Sequence, residues 1–261
     1  MFRDRVGVGK VAAIVVVFVM LLAAGLGCSS KSTADSNDRA MLVSAAMSLT
    51  DEHMSSMAST LETLAMTSDV KTGNNWEGTK SLLSKAGQGE VSAALWYAMP
   101  DGSYYTVEKG KTSENISDRS YFPKVMAGNT TSGDLVVSKS TGTKSVVVTA
   151  PIKDGSKVVG ILGASIYLDA LTETVTKEME LPDGVAFYAI APAGVIALYK
   201  DVNRILGTSA DFNSSSFSQA VTDMLAKKSG VASYQLDGAT WSATYKTSSV
   251  SGWCFVLSDK K

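Results

Sequence analysis

The order of elements along the chain occurs twice, and this repeat limits the fold more than any other feature of the sequence. In each copy two β-rich runs flank a tight turn, a helical segment follows, and three further β-rich runs come after it. The turns of the two copies span residues 100–102, 153–156, 192–194 and 236–238. Because strands joined by tight turns pair antiparallel, the sequence predicts an α+β protein with two tandem antiparallel-sheet sandwiches, over residues 73–180 and 181–261.

A long helix is predicted ahead of the first copy, over residues 39–72. No proline or glycine occurs in residues 37–68. An apolar seam with one polar interruption repeats every seven residues, formed by Met47, Thr50, Met54, Met57, Leu61 and Leu64. Two interpretations stay open: the seam packs on its own domain, or part of it pairs with a second copy to give a homodimer.

Residues 1–28 are typical of an export signal rather than of folded structure. Arg3, Arg5 and Lys10 precede an uncharged stretch over residues 11–27. Residues 25–28, Gly-Leu-Gly-Cys, resemble a bacterial lipobox, which predicts cleavage before a lipidated Cys28. The alternative is an uncleaved helix that anchors the chain, since a stretch of this length can just cross a bilayer. Both interpretations place the remainder outside the cytoplasm, with residues 29–38 as a tether.

Composition excludes several classes of function. The formal net charge is −1, from 24 basic and 25 acidic residues, so no binding to nucleic acid is expected. The chain has one histidine, His53, and two cysteines, without metal-ligand spacing. No nucleophile with a neighbouring base is recognisable. We therefore expect neither an enzyme nor a protein that holds a metal or other cofactor.

Four motifs in the first copy carry a family resemblance. They are residues 118–122 (DRSYF), 138–142 (SKSTG), 146–151 (VVVTAP) and 160–165 (GILGAS). Their order is similar to that of the double Cache extracellular sensor domain, with PAS-like sandwiches, and the resemblance covers residues 37–259. It implies a long N-terminal helix, a membrane-distal sandwich that binds a small ligand, and a membrane-proximal sandwich that relays the signal.

The resemblance also implies a binding site. In the amino-acid-binding version of the family, an arginine and aromatic residues on a short helix hold the ligand carboxylate; Arg119, Tyr121 and Phe122 match these positions. Ser165 stands where a carboxylate normally holds the ligand's amino group. A serine hydroxyl stabilises an ammonium less than a carboxylate does. A small carboxylate or a neutral polar ligand is therefore favoured over an amino acid.

Each candidate residue also has a structural interpretation. Arg119 would otherwise form an ion pair with Asp118 or Asp134. Tyr121 and Phe122 would otherwise be core residues, and Ser165 a buried, hydrogen-bonded serine.

The first hairpin adds two adjacent aromatic pairs, Trp96 with Tyr97 and Tyr104 with Tyr105. Strand alternation allows one member of each pair to face the pocket. Trp96 and Tyr104 are our candidates, although the sequence does not decide between the members.

These observations lead to two hypotheses about function. The first is an extracytoplasmic module that senses a small molecule, without its own cytoplasmic output domain, because no second apolar span follows the last predicted strand. It would act with a membrane signalling protein. The alternative is a structural or protein-interaction lipoprotein that uses the two sandwiches as a scaffold.

Overall fold

The computed structural model describes residues 31–71, 76–89, 91–182 and 184–261. The predicted export signal, with its lipidation site at Cys28, lies outside the described residues. Among the described residues, no helix combines the length and the apolar character needed to span a membrane.

The N-terminal helix begins earlier and ends earlier than the sequence predicted. Helix α1 runs over Lys31–Ala65, so residues 31–38, expected to belong to a tether, are helical. Extending an existing helix is favourable even through polar residues, because only nucleation is costly. The helix ends where Thr67 folds back, its hydroxyl donating to the Leu64 carbonyl at 2.8 Å. Two shorter helices, α2 (Ser68–Lys71) and α3 (Trp76–Ala86), follow.

The first sandwich contains a six-stranded antiparallel sheet. Its elements are β1 (Ala93–Ala98), β2 (Ser103–Thr106), β3 (Gly110–Asn115), α4 (Phe122–Met126), β4 (Thr131–Val137), β5 (Lys144–Asp154) and β6 (Lys157–Tyr167). The strand order is β3-β2-β1-β6-β5-β4. Strand β3 was not predicted, because its sequence GKTSEN lacks apolar alternation. Such a polar strand is suited to a solvated sheet edge.

The second sandwich repeats this topology with five strands. Its elements are α5 (Leu168–Glu178), β7 (Val185–Ile190), β8 (Ile196–Tyr199), two 3₁₀ turns (Val202–Arg204 and Ser209–Phe212), α6 (Ser215–Lys227), β9 (Ser229–Leu236), β10 (Ala239–Thr247) and β11 (Cys254–Lys260). The order β8-β7-β11-β10-β9 is that of the first sheet without β3. The predicted α+β class and the duplicated architecture are thus confirmed.

Strand alternation divides the apolar residues between two faces of each sheet. One face of both sheets packs on α1, and a single apolar cluster joins Leu61 and Met54 of α1 to Leu162 of the first sheet and Phe255 of the second. The opposite face of the second sheet is covered by α6. The opposite face of the first sheet lies under α4 and carries its own small cluster. The predicted seam of α1 therefore packs on the chain's own sheets, and the homodimer stays a prediction.

A series of polar contacts along α1 connects the helix to both sandwiches. From its N-terminal part onward they are Arg39 with Asp259, Ser44 with Lys246 at 3.1 Å, Asp51 with Ser248 at 2.5 Å, His53 with Glu178 at 3.5 Å, and Glu62 with Thr130. The first three partners belong to the second sandwich or the loop beside it, the fourth belongs to α5, and the last directly precedes β4. The N-terminal part of α1 thus lies against the second sandwich, and its C-terminal part lies against the first.

Candidate functional site

A small cavity lies on the face of the first sheet that α1 does not cover. Its volume is about 20 Å³, which is room for one or two water molecules. Residues from β1, β2, β4, β5 and β6, the turn before α4 and the β4–β5 loop line it. The cavity is therefore at the position where the sequence predicted a ligand site.

Trp96 forms the base of the cavity because β6 offers it space. Trp96 pairs with Gly163 across β1 and β6. A methyl group at residue 163 would lie 2.1–2.3 Å from atoms of the indole ring. The indole Nε1 donates a hydrogen bond to Ser165 Oγ at 3.2 Å. Ser165 is thus a buried, hydrogen-bonded serine whose Oγ accepts from Trp96, which leaves its own hydroxyl proton available to a further acceptor.

Two tyrosines form an aromatic wall with Trp96. The ring centroids of Tyr104 and Tyr121 each lie 6.2 Å from that of Trp96. Burial raises the pKa of the Tyr121 phenol above its ordinary value, and the nearby positive charge of Arg119 opposes this only partly. The phenol is therefore neutral at physiological pH and serves as an apolar surface with one hydroxyl group.

The structure decides which member of each adjacent aromatic pair faces the cavity. Trp96 and Tyr104 line it. Tyr97 belongs to the cluster on the α1 side, and Tyr105 packs against that cluster. The two candidates named from the sequence are thus the two that face the cavity.

Arg119 lies at the rim of the cavity, in the turn that leads to α4. Its Nη2 donates to the carbonyl oxygen of Val137 at 2.8 Å. Neither Asp118 nor Asp134 pairs with it, because Lys139 holds the first at 2.7 Å and Lys124 lies 3.7 Å from the second. Within the described part of the chain, no ion pair to Arg119 closer than 4 Å is formed. Its positive charge is therefore not neutralised by direct contact with a carboxylate.

Lys139 is a second cation in the lining, and it was not among the site residues predicted from the sequence. It lies in the β4–β5 loop, which closes through a hydrogen bond from the Ser138 amide to the Thr143 carbonyl at 2.9 Å. The Lys139 ammonium donates to both carboxylate oxygens of Asp118, at 2.7 and 2.8 Å, and to the carbonyl of Asn115 at 2.7 Å. Hydrogen bonding from Lys139 lowers the pKa of Asp118.

The charge of the lining is one-sided. Arg119 and Lys139 both line the cavity, whereas no aspartate or glutamate does. Asp118 pairs with Lys139 from outside, with a side chain 67% exposed. Among the described residues, no cluster of three or more histidine, cysteine, aspartate or glutamate side chains could hold a metal ion. The cavity therefore matches an anionic group better than a cationic one.

Five of the six predicted site residues line this cavity: Trp96, Tyr104, Arg119, Tyr121 and Ser165. Phe122 does not. Its side chain is partly buried and packs on the apolar cluster beneath α4. Because Tyr121 and Phe122 are consecutive residues at the start of a helix, their side chains point about 100° apart, and only one can face the cavity.

The second sandwich has a smaller cavity, of about 10 Å³, on the corresponding face. The register is the same: Ala186 pairs with Ser258 as Ala94 pairs with Ser165. Its lining is uncharged and includes Tyr188, whose hydroxyl is 3.1 Å from that of Tyr234. The two sandwiches thus share the position of a cavity and differ in its charge.

Solved structures with this architecture include ligand-binding domains of bacterial chemoreceptors. The domain of CtaA from Pseudomonas fluorescens with L-serine has a TM-score of 0.69 at 13% identity, over 88% of this chain and 98% of that chain. PctB from Pseudomonas aeruginosa with L-Arg gives 0.66 at 16% identity, over 88% and 96%. Tlp3 from Campylobacter jejuni with 4-methylisoleucine gives 0.63 at 11% identity, over 90% and 96%.

No family model matches the sequence, and neither does any curated protein. The similarity is therefore one of fold: the shared arrangement of helix and sheets extends over nearly the whole of each compared domain. The chain has the double Cache fold of these sensor domains.

Proposed function

We propose that this chain is an extracytoplasmic sensing module that binds a small carboxylate in the first sandwich. The observation that carries the proposal is a lining with two cations, Arg119 and Lys139, and no carboxylate. CtaA, PctB and Tlp3 were solved with amino acids or an amino-acid derivative. An amino acid would bring an ammonium group into a lining that has no negative charge for it, so a simple carboxylate is the better match here.

Each lining residue has a defined part in this proposal. One nitrogen of the Arg119 guanidinium is used by Val137, and the remaining N–H groups serve the ligand carboxylate. Trp96, Tyr104 and Tyr121 contact the ligand's carbon chain. Ser165 donates its hydroxyl proton to a ligand oxygen, because its oxygen already accepts from Trp96.

The location and the partner follow from the same hypothesis. The chain is held at the outer side of the membrane through lipidated Cys28 or through its uncleaved apolar segment. A membrane signalling protein reads the change in the sandwiches that ligand binding produces. Because the seam of α1 packs on the chain's own sheets, a homodimer through this helix would use residues that the packing leaves exposed, such as Met41.

Titration calorimetry of the full chain in detergent micelles tests the ligand class. Butyrate should bind, while alanine should bind at least about 10-fold more weakly. Arg119→Gln should weaken butyrate binding about 10–100-fold, the value of a lost charged hydrogen-bond pair. Lys124→Gln is the matched control: it removes one positive charge on neighbouring α4, outside the cavity lining, and should leave binding unchanged. If alanine bound more tightly than butyrate, or if Arg119→Gln had no effect, the proposal would be wrong.

One observation favours the alternative of a scaffold lipoprotein. The cavity of about 20 Å³ is smaller than a four-carbon acid, so a ligand can enter only if the β4–β5 loop or the lining side chains move. A scaffold needs no such movement. Native mass spectrometry separates the two: a co-purified small acid supports the sensor, whereas the mass of the bare chain, with no acid bound in calorimetry, supports the scaffold.

A further inference from the structure

We propose that the ligand is a dianion, a small dicarboxylate, and that Asp118 acts as its internal competitor for Lys139. The inference deepens the proposed function and rests on it. Arg119 holds one carboxylate of the ligand, and Lys139 takes the other after releasing Asp118. Two independent observations support it: the second cation in the lining, and the bidentate contact that occupies this cation now.

The hydrogen bonds of Lys139 show what a ligand would replace. An ammonium group has three N–H donors, and here they meet Asp118 Oδ1, Asp118 Oδ2 and the Asn115 carbonyl. Two of the three partners are oxygens of one carboxylate. A carboxylate on the ligand offers the same two oxygens, so the exchange loses no hydrogen bond and no ion pair.

Burial favours the ligand in this exchange. The side chain of Lys139 is 24% exposed, whereas that of Asp118 is 67% exposed. An ion pair with an exposed partner is weakened by competition with water. A ligand carboxylate inside the cavity would be shielded by the aromatic wall, where attraction between charges is stronger. Asp118, once released, would return to solvent at little cost.

The same contact explains how a closed cavity admits a ligand. Lys139 lies in the β4–β5 loop, and Asp118 lies in the turn before α4. Their ion pair joins the two segments at the rim, and Arg119 makes a second link to Val137 at the end of β4. An anion that engages both cations would replace the first link, while Arg119 keeps its bond to Val137 and binds the other carboxylate through its remaining N–H groups. A monocarboxylate held by Arg119 alone would leave the link between Lys139 and Asp118 in place.

Three four-carbon probes separate these roles in calorimetry on the full chain in detergent micelles. Butyrate carries one carboxylate and succinate carries two. 4-Aminobutyrate carries one carboxylate, with an ammonium at the opposite end of the chain in place of the second carboxylate. Succinate should bind about 10-fold more tightly than butyrate, because Lys139 exchanges an exposed carboxylate for one that the aromatic wall shields from water. 4-Aminobutyrate should bind more weakly than butyrate, because its ammonium meets Lys139.

Two variants act in opposite directions. Lys139→Gln should remove the advantage of succinate, leave butyrate within about threefold, and improve 4-aminobutyrate. Asp118→Asn should tighten succinate several-fold and leave butyrate unchanged, because the competitor for Lys139 is neutralised. Lys124→Gln serves again as the charge-matched control. Circular dichroism of each variant checks the fold.

The outcomes separate this inference from the proposed function. If butyrate binds through Arg119 but succinate gains nothing, or if Lys139→Gln weakens both acids equally, the dianion inference is wrong and carboxylate sensing stands. If no acid binds the unmodified chain, both are wrong. If Asp118→Asn weakens succinate, Asp118 is a ligand-binding residue rather than a competitor, which also overturns the inference.

Discussion

The indole ring of Trp96 occupies the space in which any side chain on Gly163 would lie. The two residues are paired across β1 and β6, and the nearest ring atom is 2.1 Å from the position of an added methyl carbon. The aromatic base of the candidate site thus depends on an absent side chain in the neighbouring strand.

Gly163→Ala should therefore destabilise the protein by about 1–3 kcal/mol, the usual cost of overpacking a core. Urea unfolding followed by circular dichroism measures this change. Gly89→Ala is the control, because an added methyl group there meets no atom within 4 Å and its backbone is not in the left-handed region. Equal stability of the two variants would show that the indole moves freely.

The contact between Asp51 and Ser248 is buried and should contribute to the stability of the folded protein. Asp51 accepts from the Ser248 hydroxyl, and Ser248 Oγ accepts from the amides of Val250 and Ser251, at 2.8 and 3.1 Å. Asp51→Ala should lower the free energy of unfolding by about 1–3 kcal/mol, because the buried hydroxyl loses its acceptor.

A double-mutant cycle checks this contact. The double variant, with both Asp51→Ala and Ser248→Ala, should lose less free energy of unfolding than the sum of the losses of the two single variants. Glu52→Ala, an exposed neighbour on α1, should be close to neutral. Strict additivity would contradict a direct interaction.

Cys254 should resist thiol reagents while the protein is folded. Its side chain is buried, and burial raises its pKa to about 11. At pH 8 the thiolate fraction is then about one in a thousand, and only the thiolate reacts. Peptide mapping after N-ethylmaleimide treatment should find Cys254 labelled only in urea. Rapid labelling of Cys254 in buffer would mean that the second sandwich opens readily.

Stability should fall at alkaline pH, in part through Tyr188. Burial raises its pKa well above 10.0, so above pH 10 the unfolded chain releases the phenolic proton while the folded chain keeps it. The unfolded state then binds fewer protons, and stability present below pH 10 is lost as pH rises, by up to about 1.4 kcal/mol per pH unit for one tyrosine.

Urea unfolding at pH 9, 10 and 11 measures this slope. Tyr188→Phe should show a shallower loss above pH 10, whatever its stability at pH 7. Parallel curves for the two proteins would contradict the assignment.

The repeat was predictable because turns and strand alternation are local signals. Pro100, Gly102, Asp237 and Gly238 interrupt apolar runs, and the positive φ angles of Asp237 (51°) and Gly238 (73°) suit a two-residue hairpin turn. β3 was missed because an edge strand of polar residues resembles a loop in sequence. The start of α1 was missed for a related reason: serine and aspartate weaken a helix locally without preventing its extension.

The site was predictable only in part. Arg119, Tyr121 and Ser165 were identified by their place in motifs, and Trp96 and Tyr104 by their place in a hairpin. Lys139 was missed because a lysine in a hairpin loop is usually solvated, and nothing local shows that Asp118 draws it over the cavity. Only the three-dimensional approach of the β4–β5 loop to the turn before α4 joins these charges.

The apolar cluster that α1 shares with both sheets has a consequence for how the molecule melts. Leu61, Leu162 and Phe255 belong to one continuous interior, so neither sandwich can lose its packing without exposing part of the other's. We expect a single heat-absorption peak in scanning calorimetry, with the van't Hoff enthalpy equal to the calorimetric one. Two separate peaks would mean that the two sandwiches unfold independently, and that the interior they share through α1 does not couple them.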